Sequence, residues 1–122
     1  MSKYDKVVFF DTETVGLNPN YIISLAYRFY ERDKDVKIGE IRCNPCYPIN
    51  KSASETNGFT DEMVRSWPTF EEQWDSIKNY FTDSVWIGHN VDFDEKALKL
   101  EFKRYNIEVP EHTKLDTMKI AR

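Results

Sequence analysis

Val7 to Phe10 is an unbroken apolar run that leads straight into Asp11-Thr12-Glu13, with Gly16 shortly beyond. Such a run reads as a central strand covered on both faces. Side chains alternate along a strand, so Asp11 and Glu13 project from the same face at its end. Two carboxylates in that position repel each other unless a cation holds them. Small, hard cations such as magnesium take oxygen ligands, and the carboxyl edge of a sheet is where such ligands gather. An Asp-x-Glu alone fits a solvated strand end. One that follows four apolar residues and precedes a glycine turn points instead to a ligand site.

The remaining pattern is mixed α/β. Tyr21 to Tyr30 is rich in aromatic and branched residues, and the charged stretch Glu31 to Lys37 turns into a third strand near Ile38 to Cys43, extending the sheet as a hairpin. Pro45, Pro48 and the polar stretch Asn50 to Asn57 read as a connection. Thr60 with Asp61 and Glu62 then caps a short helix. Thr69 and Glu72 have capping-box spacing, and Phe70, Trp74, Ile77 and Phe81 keep one apolar face for packing on the sheet. Val85 to Ile87 is another strand, followed by a helix from about Phe93 to Tyr105 that buries Phe93, Ala97, Leu98, Phe102 and Tyr105. Leu115 belongs to a last strand, with Asp116 or Thr117 capping a helix that starts at Met118.

Composition narrows the classes. A chain of 122 residues with 40% apolar and 15% aromatic residues is one globular domain rather than a disordered segment. It carries no membrane span or basic leader, and its two cysteines make no disulfide framework, so the cytoplasm is the expected location. The net charge of -4 argues against a protein that coats duplex DNA, but not against a site built from carboxylates. Lys96, Lys99, Lys103 and Arg104 read mainly as a solvated helix face paired with Asp92, Glu95 and Glu101. Cys43 and Cys46 are a single Cys-x-x-Cys without a second pair and read as packing positions. Tyr4, Tyr21, Tyr27, Tyr30, Tyr47 and Tyr80 read as core or edge residues rather than platforms for nucleobases.

His89-Asn90-Val91-Asp92-Phe93-Asp94 is the second acidic motif. Asp92 with Glu95 fits a helix cap, which leaves Asp94 to point across to the first strand and join the metal ligands. His89, at a strand end, suits a hydrogen-bonded structural or substrate-contacting role better than that of general base or ligand. Asn90 ties the two loops together.

Phe-Phe-Asp-Thr-Glu-Thr-Val-Gly-Leu at 9–17 and His-Asn-Val-Asp-Phe-Asp at 89–94 resemble the first two motifs of the DnaQ-like (DEDD) 3′-to-5′ exonucleases, which have an RNase H-like fold. Asn57-Gly58-Phe59-Thr60 is similar to that family's His-Gly-Ile-Thr segment. Leu115-Asp116-Thr117-Met118 with Ala121-Arg122 is similar to its Asp-Thr-Leu segment ending in Ala-Arg. The resemblance implies an RNase H-like mixed sheet flanked by helices, with Asp11, Glu13 and Asp94 as metal-binding catalytic carboxylates. It implies that Thr14, Gly16 and Leu17 border the terminal nucleotide, with His89, Asn90 and Phe93 nearby. The implied cofactor is Mg2+ or Mn2+, two ions about 4 Å apart in the complete site, with Asp11 bridging both. The implied partners are the 3′ end of a single-stranded nucleic acid, DNA before RNA, and a polymerase or other replication protein.

Three departures qualify the resemblance. Val15 stands where the family often has a second Thr, and Asn57 replaces a frequent His. The family's last motif, a His or Tyr a few residues before a fourth Asp, falls beyond Arg122, although the His-Asn-x-x-Phe-Asp form favours the histidine type. The expectation is therefore an exonuclease domain over residues 1–122, incomplete at its C-terminus and lacking C-terminal helices. Taken alone it would bind metal weakly, cleave slowly or not at all, and tend to self-associate through exposed apolar surface. The alternative is a non-catalytic module of the same fold that binds nucleic acid or a replication protein.

Overall fold

The computed structural model describes residues 5–116. The elements are β1 (Lys6–Thr14), β2 (Ile22–Glu31), β3 (Lys37–Arg42), α1 (Lys51–Asn57), α2 (Asp61–Val64), α3 (Phe70–Phe81), β4 (Ser84–Gly88), α4 (Val91–Arg104) and β5 (His112–Asp116). The expected helix from Met118 and its cap at Thr117 lie outside the described residues, as do Tyr4, Ala121 and Arg122. No helix among the described residues is long and apolar enough to cross a membrane.

One mixed sheet has the order β3-β2-β1-β4-β5. β1 pairs antiparallel with β2 and parallel with β4, and β4 pairs parallel with β5. β1 is central, as its apolar run requires. The parallel strands β1, β4 and β5 also end at the same sheet edge, where the acidic motifs emerge.

The main core lies on one face of the sheet, and a smaller cluster gathers Val15, Ile23, Phe59 and Val64. Val8, Phe10, Leu25 and Trp86 of the sheet are buried with Trp74, Ile77 and Phe81 of α3 and Ala97, Leu98 and Phe102 of α4. The Thr69–Glu72 capping box starts α3 as expected, with the Thr69 amide donating to Glu72 Oε1 (3.0 Å) and the Glu72 amide to Thr69 Oγ1 (3.3 Å). Thr60 caps α2 in the same manner.

Three expectations are corrected. β1 is not covered on both faces: Val8, Phe10, Thr12 and Thr14 are buried, whereas Phe9 is 41% exposed. An apolar run marks a strand, but the coverage of its faces depends on elements distant in sequence. Phe9 sits in a cross-strand row with Ile87 and Leu115 on one side and Arg28 and Ile38 on the other. Second, the polar stretch 50–57 is a helix rather than a connection. Asn50 accepts the Ser52 amide at its start, and Gly58, at φ 80°, closes its end in a conformation that glycine adopts without strain. Helix α1 buries no residue and so carries no apolar period. Third, α4 begins at Val91, with Asn90 in the cap position, so Asp92 lies inside the first turn rather than at the cap. Val91 is buried, which draws the helix start back toward β4, and Asp92 instead forms an ion pair with Lys114 of β5 (2.9 Å).

Glu101 likewise departs from the solvated face expected of it. It is 1% exposed and accepts the Ile22 amide at 2.8 Å, with Arg104 3.3 Å away. Burial pushes its pKa up, against the opposing pull of the Ile22 amide and Arg104. Glu101→Ala would strand both donors, and denaturant unfolding should register a loss of about 3 kcal/mol.

Candidate active site

β1 delivers Asp11 and Glu13 to the open face at its end, both exposed, while Thr12 between them turns to the helix side and is buried. A register shift between Glu13 and Thr14 bends the strand as it leaves the sheet. The Thr14 hydroxyl donates to the Gly16 carbonyl (2.8 Å), tightening the exit turn. Gly16 packs closely there: a Cβ on it would lie 3.3 Å from Asn50 Cβ.

α4 supplies the third carboxylate. Asp94 is 4% exposed, and its Oδ1 accepts both the Thr12 hydroxyl (2.6 Å) and the Thr12 amide (3.2 Å). These two bonds fix the first turn of α4 against the end of β1. Burial, then the charges of Asp11 and Glu13, push the Asp94 pKa up to about 6, although both Thr12 bonds favour its ionised form. Glu13 is shifted in the same direction by desolvation and by Asp11. Asp94 therefore feels the charge of both strand carboxylates, and Glu13 that of Asp11. They do not converge tightly: among the described residues, no three His, Cys, Asp or Glu side chains form a group able to enclose an ion. The donor chemistry itself, hard carboxylate oxygens that destabilise one another, fits a divalent cation. Thr12 takes Asp94 Oδ1, while Oδ2 lies beside Gly88.

Apart from Asn90, the other expected site residues divide between two hollows. Thr14, Gly16, Leu17 and Phe93 line a cleft of about 660 Å³ together with Glu13. Leu17 is 84% exposed, and Phe93 is half-buried at the cleft rather than in the core. Asp11 and His89 line a neighbouring hollow of about 440 Å³ on the open sheet face. Asn90 serves α4 through its carbonyl, which accepts the Phe93 and Asp94 amides. Asn57, which stands where the family often has His, also lines the cleft. Its amide donates to the Thr14 carbonyl (3.3 Å) and its Oδ1 accepts the Phe59 amide (3.0 Å), so it braces the exit of β1.

Thr12 is the residue that sequence reasoning missed. Strand alternation was the available signal, since the residue between two outward acids must face inward. Glu95, next to Asp94, is also structural: it is buried, with His112 Nε2 at 2.7 Å and Lys114 at 2.9 Å. Burial opposes its charge, but His112, Lys114 and Lys99 together hold its pKa below the ordinary value. Neither cysteine is placed for catalysis. Cys43 is fully buried with its thiol pushed up to about 12 by burial, and Cys46 is an exposed loop residue.

Comparison with known proteins agrees with this architecture. The PolC-type DNA polymerase III of Pediococcus pentosaceus is 30% identical over 122 residues, covering 98% of this chain. That of Mycoplasma genitalium is 30% identical over 114 residues. The chain spans 8% of the length of each. Among solved structures, exonuclease X in complex with 5′ overhanging duplex DNA superposes with a TM-score of 0.71 at 27% identity, over 95% of this chain and 62% of that one. Product-bound exonuclease I superposes with a TM-score of 0.81 at 19% identity, over 97% of this chain and 31% of that one, which establishes the shared RNase H-like fold. The sequence profile of the RNase T exonuclease family matches residues 8–122, and the chain belongs to that family.

Proposed function

We propose that this chain provides the carboxylates of a divalent-cation-dependent 3′-to-5′ exonuclease, releasing nucleoside monophosphates from single-stranded DNA. The observation that carries the reading is the delivery of Asp94 by α4, through two hydrogen bonds to Thr12, to the strand end where Asp11 and Glu13 emerge. Asp11, Glu13 and Asp94 would hold magnesium or manganese, two ions in the complete site. When bound, the metal would supply Lewis-acid stabilisation of the phosphoryl oxygens and a bound water more acidic than bulk water.

The chain's own residues set the geometry around that chemistry. Thr12 orients Asp94, and the Thr14–Gly16 contact and Asn57 hold the turn that carries Leu17. Thr14, Gly16, Leu17 and Phe93 form walls for the terminal nucleotide, and His89 and Asn90 border it from the β4–α4 turn. The PolC-type relatives and the exonuclease X complex favour DNA as substrate and a DNA polymerase as the working partner.

The test uses the intact natural polypeptide with single-stranded oligonucleotides labelled at either end. Magnesium or manganese should release labelled mononucleotide at once from the 3′-labelled strand and shorten the 5′-labelled strand stepwise, with EDTA stopping both. Release from the 5′ end, or internal cuts, would refute the assignment.

A further inference from the structure

The loop after β3 is braced from several sides. Cys46 has φ 53°, a left-handed conformation that a residue with a Cβ keeps only where its surroundings impose it. Here they do. Asn44 Oδ1 accepts the Cys46 amide at 2.9 Å, while the Asn44 amide donates to the Pro68 carbonyl at 2.8 Å. Arg104 Nη2 donates to the Pro45 carbonyl. Arg104 is itself held by buried Glu101 and lies 3.8 Å over the ring of Tyr21.

This bracing ends at an aromatic ring that is not buried. Tyr47 packs edge-on against Tyr21, with centroids 5.3 Å apart at 70°, yet remains 46% exposed. It lines the same cleft as Glu13, Leu17 and Phe93. A core tyrosine would be covered, contrary to what Tyr47 shows, and a merely solvated one would need no such support. A ring packed on one neighbour and still half-exposed at a cleft is suited to stacking on a flat heterocycle, with little conformational freedom left to lose.

We propose that Tyr47 is a stacking platform for a nucleobase of the single strand held in this cleft; the proposal rests on the exonuclease reading. Tyr47 thus contributes binding rather than chemistry. Stacking uses the ring and not the hydroxyl, so phenylalanine should serve as well as tyrosine.

The experiment measures equilibrium binding of a fluorescent single-stranded oligonucleotide to the intact polypeptide, with calcium in place of magnesium to limit cleavage, at two or more salt concentrations. Tyr47→Ala should weaken binding about 5- to 100-fold, while Tyr47→Phe stays within about twofold of the wild type. The slope of log affinity against log salt should be the same for all three proteins, because stacking displaces no phosphate counterions. Equal affinity of Tyr47→Ala and wild type, with the wild type binding, overturns the proposal and leaves the exonuclease reading in place. A changed salt slope, or a Tyr47→Phe variant as weak as Tyr47→Ala, assigns Tyr47 to loop structure and also overturns it. A wild type that binds no oligonucleotide overturns the exonuclease reading, and this proposal with it.

Discussion

Asp11→Asn and Glu13→Gln are each expected to lower mononucleotide release by about a thousandfold or more while leaving the fold intact. Removing a carboxylate that holds a catalytic cation forfeits several kcal/mol of transition-state stabilisation, and each 1.36 kcal/mol is a factor of ten in rate. Both side chains are exposed at the end of β1, so the exchanges leave no cavity and break no core contact. Melting temperatures should therefore stay close to that of the wild type. Single-turnover release from a 3′-labelled strand, with circular dichroism as the check on folding, reads both quantities. Activity within tenfold of wild type in both variants would remove these carboxylates from the metal site.

Asp94→Asn should separate activity from stability, moving them in opposite directions. Activity is expected to fall at least a hundredfold, because the cation loses the ligand that α4 supplies. Stability in EDTA at pH 8 should rise, by about 2 kcal/mol. Asparagine keeps the Oδ1 that accepts the Thr12 hydroxyl and amide, but carries no charge to be desolvated or repelled by Asp11 and Glu13. The sign follows from proton linkage. With its pKa raised to about 6, folded Asp94 holds its proton more tightly than the unfolded chain does. The wild type therefore loses stability relative to the variant as pH rises from about 4 through about 6, and the gap is constant above that. Magnesium should narrow the gap by stabilising the wild type more than the variant. Paired urea titrations from pH 4 to pH 8 provide the measurement. A variant less stable than the wild type at pH 8 in EDTA would mean that Asp94 is not held under charge repulsion.

Much of the fold was legible because its signals are local. The Thr69–Glu72 box, the apolar face of α3, the Val85–Ile87 strand and the Leu115 strand each depend on residues a few positions apart, and all appear in the structure. Helix α1 lacks such a signal, since it buries nothing, although Asn50 and Gly58 bracket it as a cap pair. Asp92 was misplaced for a related reason. Asp92 and Glu95 have the spacing of a cap, but Val91 packs into the core and starts the helix earlier, leaving Asp92 to Lys114 and Glu95 to His112 and Lys114. Glu101 and Arg104 read as surface charges by composition, yet they hold Ile22, Tyr21 and Pro45 in place.

The sequence by itself determined that an apolar strand ends in two carboxylates on one face, because strand alternation and an apolar run are properties of adjacent residues. Strand alternation also sends Thr12 inward. Only the tertiary structure decided what Thr12 meets there. Its partner, Asp94, is 82 positions away, brought into hydrogen-bonding distance by the packing of α4 against β1 and β4. The same long-range packing decided that one face of β1 stays open beside the site, and that Tyr47 is held at the cleft with its ring exposed. Periodicity and capping report the conformation of a segment. The rotation of a helix about its axis, and the surface left uncovered, follow from which distant side chains fill the core.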